Sequence, residues 1–194
     1  MDWCSHRFPP MSAVLQERPR VEAPAPSIDI LVDAIDEALR RPSPDVAAAV
    51  RQVLARHVDI VLPLSPAQLT GSPDRYTRHL LHADPAGRYS VMALVWQPGQ
   101  RSPVHGHHTW CAYLVRQGEL REERFAWRAE RECAVRTGAV TKQAGETLSA
   151  PAGLAAIHSL GNDSGDVAVS IHVYGVRGEQ IATHVNHVVH GERD

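Results

Sequence analysis

Residues 89–116 read YSVMALVWQPGQRSPVHGHHTWCAYLVR and contain two apolar runs on either side of a stretch rich in turn residues. The β-branched and aromatic residues of both runs are typical of strands, and the Pro and Gly between them are typical of a connection. Similar short runs recur from Tyr76 to Val176. They predict strands over 76–82, 89–97, 104–116, 120–128, 133–137, 146–150, 155–160 and 167–176. This pattern predicts a mainly β fold, an antiparallel sandwich or barrel of the jelly-roll kind.

Two amphipathic helices are predicted before these strands. The segment 28–41, IDILVDAIDEALRR, follows the N-cap candidate Ser27 and ends before Pro42. A second helix is predicted from about Asp45, with Ser43 or Pro44 at its start. Helical periodicity predicts one apolar face on each helix. The face of the first helix consists of Ile28, Leu31, Ile35 and Leu39, and that of the second consists of Val46, Val50, Val53 and Leu54.

The composition indicates a single soluble domain. The chain has 194 residues, 43% hydrophobic and 22% charged, as expected for a globular protein. Residues 1–26 contain five prolines and no hydrophobic period, so they are predicted to form a flexible arm. Residues 27–194 are predicted to form one domain, with helices first and a barrel at about 76–176.

Charge and hydropathy argue against several partners. The formal net charge of -2 provides no general attraction to nucleic acid or anionic lipid. No apolar run approaches the roughly 20 residues that cross a bilayer, and the first residues lack the apolar core of a signal peptide. Cys4, Cys111 and Cys133 are too few and too scattered for a disulfide framework. We therefore expect a cytoplasmic protein without nucleic-acid or membrane partners.

Three histidines are candidate metal ligands. In SPVHGHHTW, strand alternation places His105 and His107 on one face and His108 on the other. A solvated pair is the ordinary explanation of an isolated HxH, but His158 provides a third imidazole in another apolar strand. Imidazole nitrogens suit Fe, Zn, Cu or Ni. Three neutral ligands leave the charge of a divalent ion uncancelled, which favours an anionic ligand such as a thiolate.

Two further rows of side chains are candidates for the same site. In VAVSIHVYG, alternation places Ser170, His172 and Tyr174 on one strand face, as a hydrogen-bonded relay or as an exposed half-polar face. In DRYTRHLLH, Tyr76 and Arg78 share a face, and a guanidinium is suited to bidentate binding of a carboxylate. Most strand arginines are solvated, so the second row by itself is a weak signal.

The segments YTRHL, SVMALVWQPGQRSPVHGHH, AIHSLGN and SIHVYG together resemble the cysteine dioxygenase family, thiol dioxygenases of the cupin superfamily, over residues 60–178. The resemblance implies a cupin double-stranded β-helix with a non-haem ferrous ion, Fe(2+), held by His105, His107 and His158. It implies oxidation of cysteine to cysteine sulfinate with both atoms of O2, in a monomer or small homo-oligomer. It also assigns substrate binding to Arg78 and Tyr76, and outer-sphere catalytic roles to Ser170, His172 and Tyr174.

The chain departs from the family pattern at several positions. The family usually has Asp between the two histidines, where this chain has Gly106, and commonly Thr where it has His108. The Glu that the general cupin motif places after HxH is absent at that spacing. Animal members join a cysteine of this strand to the tyrosine. For Cys111 two interpretations stay open, a thioether to Tyr174 and a small buried thiol.

Other functions also stay open. The substrate class extends to other small thiol carboxylates, namely 3-mercaptopropionate, against which Arg78 argues, and mercaptosuccinate. A non-enzymatic cupin that binds a metal or a small ligand would use the same residues. His184, His187 and His190 have helical spacing and form either an exposed terminus or a zinc-binding tail.

Overall fold

The computed structural model describes residues 27–192, so the predicted arm over 1–26, with Cys4, lies outside the described residues. The helices are α1 (Ile28–Arg40), α2 (Val46–Arg56) and α3 (Pro66–Thr70), besides two short 3-10 helices at Ala129–Arg131 and Gly178–Gln180. The strands are β1 (Thr77–Ala83), β2 (Ser90–Trp96), β3 (His105–His107), β4 (Cys111–Gln117), β5 (Glu119–Arg128), β6 (Cys133–Gln143), β7 (Thr147–Ala150), β8 (Gly153–Gly161), β9 (Ala168–Tyr174), β10 (Asn186–Val188) and β11 (Gly191–Glu192).

The strands form two sheets. The five-stranded sheet has the order β1-β2-β9-β4-β7, and the six-stranded sheet has the order β10-β3-β8-β5-β6-β11. From β3 to β10 the chain passes repeatedly between the sheets, as in a double-stranded β-helix. Apolar side chains of both sheets pack together between them, among them Leu94 and Trp96 from β2, Leu120 from β5 and Leu160 from β8. The mainly β cupin fold with preceding helices is therefore confirmed.

The helices cover the outer face of the five-stranded sheet. Leu31 and Ile35 of α1 and Val53 of α2 pack in one buried cluster with Ile171 and Val173 of β9. Because side chains alternate along a strand, the intervening Ser170, His172 and Tyr174 point between the sheets. Burial of both faces explains why β2 and β9 are completely buried along their lengths.

The helix ends differ in part from the prediction. Helix α1 follows Ser27, but the Ser27 side chain forms no capping hydrogen bond. Helix α2 is capped by Asp45, whose carboxylate accepts a hydrogen bond from the Ala48 amide at 2.9 Å, rather than by Ser43 or Pro44. Helix α3 was not predicted from the sequence; Ser65 and Gln68 form a capping box at its start. No helix within residues 27–192 is long and apolar enough to span a membrane.

The predicted strand over 104–116 is wrong in one respect, because it is two strands in different sheets. Strand β3 ends at His107 and pairs with β8 and β10, whereas β4 begins at Cys111 and pairs with β7 and β9. The chain crosses from one sheet to the other over residues 108–110. Strands β10 and β11 also lie beyond the predicted barrel range of 76–176, and they pair with β3 and β6.

Candidate active site

A small cavity lies between the two sheets. From the five-stranded sheet and the residue before it, the cavity is lined by Tyr76, Arg78, Leu94, Trp96, His172 and Tyr174. The opposite wall consists of Ser102, His105, His107, His158, Leu160 and Asn186.

The six-stranded sheet brings His105, His107 and His158 together. His105 and His107 lie two residues apart on β3, and His105 is directly opposite His158 of β8. One potential ligand atom from each of the three residues lies within 4.8 Å of the others. All three side chains are buried. The structure thus places the three predicted ligands at a common point on the cavity wall.

Hydrogen bonds orient two of these rings. His105 Nδ1 lies 2.9 Å from the Pro103 carbonyl oxygen and His158 Nδ1 lies 3.0 Å from Glu122 Oε1. Both acceptors lack protons, so each Nδ1 donates and each Nε2 keeps its lone pair. The buried His158 Nε2 and His107 Nδ1 have no hydrogen-bond partner among residues 27–192. Convergent imidazole nitrogens with free lone pairs fit a divalent transition metal such as iron.

Burial favours the neutral form of His105 and His107. It lowers the pKa of His105 to about 3, and the nearby charges of His158 and Arg78 lower it further than the Pro103 hydrogen bond raises it. Burial is also the main cause of the lowered pKa of His107. A neutral imidazole has the lone pair that a metal requires, so these two side chains do not need to lose protons at neutral pH before binding one.

A hydrogen-bonded chain lies on the opposite wall. Trp96 Nε1 donates to Ser170 Oγ at 3.0 Å, Ser170 Oγ lies 2.8 Å from His172 Nε2, and His172 Nδ1 lies 3.0 Å from the Tyr174 hydroxyl. Burial lowers the pKa of His172 to about 3, so its neutral ring donates at one nitrogen and accepts at the other. The predicted row of Ser170, His172 and Tyr174 is therefore brought together in the buried cavity wall.

The direction of this chain follows from Trp96, since an indole nitrogen can only donate. Within residues 27–192 the Ser170 hydroxyl has no acceptor other than His172 Nε2. The pattern that satisfies every group has Ser170 donating to Nε2 and the ring donating from Nδ1 to the Tyr174 oxygen. The Tyr174 proton is then free to be donated elsewhere. Burial raises the pKa of Tyr174 well above its ordinary value, so the phenol keeps that proton.

Cys111 lies directly opposite Tyr174 in the pairing of β4 with β9. Its side chain is buried and hydrogen-bonded to the Tyr174 hydroxyl, and burial raises the pKa of the thiol. Two positions along β4, Tyr113 stacks on His172 with ring centroids 5.1 Å apart and an interplanar angle of 16°. The sulfur and the phenol hydroxyl are therefore neighbours across β4 and β9.

Arg78 and Tyr76 lie at the mouth of the cavity. Arg78 is exposed, and its guanidinium forms no hydrogen bond or ion pair with the residues between 27 and 192. It is close enough to lower the pKa of both His105 and His172 by its charge. The Tyr76 ring stacks on Trp96, with centroids 4.3 Å apart. An uncommitted cation at the entrance is suited to an anionic ligand.

The sequence did not indicate two groups of the cavity wall, Trp96 and Asn186, nor Glu122, which contacts His158 but does not line the cavity. Trp96 looks like an ordinary core residue of β2, and Asn186 lies in a polar segment without strand periodicity. Glu122 lies in the charged run LREERFAW, where alternation gives no apolar face to mark its burial. The residue is nevertheless only 1% exposed, and its carboxylate is bonded to His158 and Arg124. Burial opposes a low pKa for Glu122, but these two partners outweigh it and the pKa is lowered.

The histidines of the C-terminal segment are not arranged as a helix. His187 lies in β10 and its ring stacks on His108, 4.8 Å between centroids and 7° between planes. Three-residue spacing along an extended segment does not place His184, His187 and His190 on one face. Within residues 27–192 the one cluster of three or more candidate metal ligands is formed by His105, His107 and His158.

A family comparison is consistent with this arrangement. Residues 67–184 match the model of the family described as cysteine dioxygenase type I. The chain belongs to the cysteine dioxygenase type I family. The matched range contains the three clustered histidines, Arg78 and the chain from Trp96 to Tyr174, whereas Asn186 lies just beyond it.

Known members of this family and solved structures are similar over limited ranges. Cysteine dioxygenase type 1 proteins of Homo sapiens and Pongo abelii are each 39% identical over 54 residues, 27% of this chain. The alignment spans 26% of the length of each relative. A Thermus thermophilus protein covers 60% of this chain, with 99% of its own length, at 21% identity and a TM-score of 0.45. An oxalate oxidase in complex with glycolate has a TM-score of 0.43 at 20% identity, over 55% of this chain and 54% of its own.

Proposed function

We propose that this protein is a non-haem iron thiol dioxygenase that oxidises cysteine to cysteine sulfinate. The observation that carries the proposal is one cavity with three clustered imidazoles on one wall, a hydrogen-bonded tyrosine on the other and, at its mouth, a guanidinium without a hydrogen-bond or ion-pair partner among residues 27–192. Family membership supports the same chemistry. The reaction adds both atoms of one O2 to the thiol sulfur, and the thiol proton is released.

His105, His107 and His158 are the proposed ligands of a ferrous ion. Bound there, iron supplies the electronic coupling that lets a thiolate and O2 react. The protein contributes the neutral donor set, the burial that limits water, and walls that accept only a small molecule. A donor set without a carboxylate favours an anionic thiolate, which agrees with a thiol substrate.

Arg78 is the proposed partner of the substrate carboxylate. Its guanidinium offers a planar fork of donors at the cavity mouth, so a bound carboxylate directs the rest of a short substrate inward. Tyr76 stacks on Trp96 beside it and limits the position of the bound molecule. Holding the thiol in one orientation makes the oxygen transfer effectively intramolecular.

Tyr174 is the proposed hydrogen-bond donor to the reacting oxygen or sulfur atoms. Ser170 and His172 hold its oxygen through the chain described above, so that its proton is not donated to the ring and is available to another acceptor. A pre-oriented buried donor stabilises negative charge as it develops, at no reorganisation cost.

The test is O2 consumption by the ferrous-loaded protein, supplied separately with L-cysteine, 3-mercaptopropionate and mercaptosuccinate, with each product identified by mass. We expect sulfinate from cysteine and a loss of at least about 100-fold in kcat/KM for R78A, because a bidentate charge-assisted contact is removed. R75A is the matched control, since Arg75 lies just before β1 and does not line the cavity.

Each result has a defined meaning. Oxidation of another thiol acid alone retains the dioxygenase proposal and replaces the substrate. Metal binding without O2 uptake for any thiol contradicts the enzyme proposal and favours a metal- or ligand-binding cupin. Equal effects of R78A and R75A contradict the role of Arg78.

A further inference from the structure

We propose that Glu122 is a positioning residue for His158, fixing its tautomer and ring orientation so that Nε2 faces the metal. This inference rests on the proposed metal site and extends it to a residue that contacts neither metal nor substrate. Glu122 lies on β5, the neighbour of β8 in the six-stranded sheet.

Glu122 and His158 form a buried contact across two adjacent strands. Glu122 Oε1 lies 3.0 Å from His158 Nδ1, with the two side chains 2% and 7% exposed. The residues are separated by 36 positions in the sequence, so the contact depends on the pairing of β5 with β8. Burying a charged carboxylate costs free energy, and proteins tolerate this only when hydrogen bonds or ion pairs satisfy its oxygens.

The contact determines which nitrogen of His158 is available. A carboxylate accepts but does not donate, so the ring proton stays on Nδ1 and the lone pair stays on Nε2. His158 Nε2 is the nitrogen that is buried without a hydrogen-bond partner among the described residues. With Glu122 absent, either tautomer becomes accessible and the ring loses its orienting contact. A partner of this kind also strengthens the imidazole as a donor.

Arg124 holds the carboxylate in place from the other side. Its Nε and Nη2 each lie 3.0 Å from Glu122 Oε2, while the Arg124 side chain itself is 52% exposed. The two oxygens of Glu122 are therefore divided, one to His158 and one to Arg124. This arrangement fixes the carboxylate plane and leaves Oε1 aimed at the ring.

The chain contains a matched control in the next residue. Glu123 is also buried, at 8% exposed, and also pairs with arginines, Arg101 at 3.4 Å and Arg136 at 3.3 Å. It lies opposite Ser159 rather than beside His158. Replacing either glutamate by glutamine removes the same charge from the same strand, but only the change at 122 affects a proposed ligand.

The experiment measures Co(II) affinity of chelator-treated full-length protein by competition, together with the Co(II) absorption spectrum and the thermal stability of the metal-free form. We expect E122A to weaken Co(II) binding by about 10- to 100-fold and to alter the spectrum. E122Q is expected to bind Co(II) more tightly than E122A but more weakly than E123Q, because its single amide oxygen can accept from Nδ1 or from Arg124 but not from both. E123Q stays close to the parent protein in both readouts.

The inference is overturned if E122A and E122Q bind Co(II) with the affinity and spectrum of E123Q. Should E122A fail to fold, the comparison of E122Q with E123Q decides, since a purely structural role predicts equal affinities. The two proposals fail separately. If replacing Glu122 weakens Co(II) binding but the protein oxidises no thiol, the Glu122 inference stands and the dioxygenase proposal fails. If the protein oxidises a thiol but replacing Glu122 leaves Co(II) binding unchanged, the dioxygenase proposal stands and the Glu122 inference fails.

Discussion

At the scale of single residues, Trp96 affects hydrogen bonding in the candidate active site although it packs among apolar side chains. It is 1% exposed, stacks on Tyr76 and donates from Nε1 to Ser170. Because that donation leaves Ser170 to donate to His172, one indole proton sets the direction of the next two hydrogen bonds. Trp96 thereby determines whether the Tyr174 proton is donated to the histidine or stays available to another acceptor.

Trp96→Phe is expected to lower kcat for the preferred thiol by about tenfold, equivalent to about 1.4 kcal/mol of transition-state stabilisation, with KM nearly unchanged. Phenylalanine retains a ring for Tyr76 but lacks the N–H, so Ser170 can instead accept from the ring and reverse the chain. Steady-state kinetics with O2 detection measure the change. Trp127→Phe is the control, since Trp127 packs in another cluster; equal losses in the two variants would argue against a directional effect.

The pair Cys111 and Tyr174 carries a covalent prediction. Sγ and the phenol face each other across β4 and β9, so oxidation by O2 in the iron-loaded protein is expected to join the sulfur to the ring. One S–H bond and one ring C–H bond break, one S–C bond forms, and O2 takes up the two electrons and two protons released, so the product is lighter by two hydrogen atoms. Mass spectrometry of a protease digest detects the joined peptides, and Cys111→Ala is the control. Unmodified Cys111 after many turnovers would contradict the cross-link.

At the scale of secondary structure, the short strand β3 depends on the absence of a side chain between its two histidines. A Cβ atom at Gly106 would lie 2.4 Å from the Gly153 carbonyl oxygen and 3.1 Å from Leu154 Cδ2. Gly153 itself has φ 96°, a left-handed conformation that favours glycine, at the register shift between β3 and β8. The departure at Gly106 from the family's usual Asp thus accompanies close contact of two backbones.

Gly106→Ala is expected to reduce the free energy of unfolding by about 1–3 kcal/mol, as other overpacked sites do. The same change pushes β3 away from β8 and is expected to weaken metal binding. Urea unfolding and Co(II) titration measure the two effects. Gly138→Ala on β6 is the control, because nothing lies within 4 Å of its added Cβ; similar results for both variants would refute the contact argument.

At the scale of the whole molecule, the buried imidazoles link stability to pH. His105 and His172 have ordinary pKa values of 6.5 and folded values of about 3, mainly because of burial. Between these values the unfolded chain binds protons that the folded protein does not. The unfolding free energy of the metal-free protein is therefore expected to decrease as pH falls from 6.5 toward 3.

Chemical denaturation at a series of pH values measures this dependence. His172→Gln removes one of the titrating groups, so its unfolding free energy should fall less steeply with acidification. A stability that stays constant or rises as pH falls through this range would show that the rings are not neutral in the folded protein.

Much of the fold follows from local patterns, and the exceptions depend on which distant strands pair with each other. The periodicity of α1 correctly identifies the side chains that pack against the five-stranded sheet. The alternation of β9 correctly separates the side chains that point between the sheets from those that face the helices. The crossing over residues 108–110 was missed because the strand pattern on both sides continues through it. Strand β10 is polar, and it forms because the edge of β3 offers it backbone partners.

The site shows the same division between local and distant information. Spacing alone placed His105 and His107 on one face and Ser170, His172 and Tyr174 on another. Glu122 could not be recognised, since burial of this carboxylate depends on a histidine 36 positions away. In the sequence it has the same appearance as its neighbour Glu123, although the two point to different partners.

The two walls of the cavity come from different sheets, the histidines from one and Arg78, Trp96 and Tyr174 from the other. The proposed metal ligands therefore lie on different strands from the residues that are proposed to bind and orient the thiol. Mutations can accumulate in the recognition half while the metal half stays intact. A lineage with this scaffold can exchange one thiol for another without passing through a metal-free ancestor.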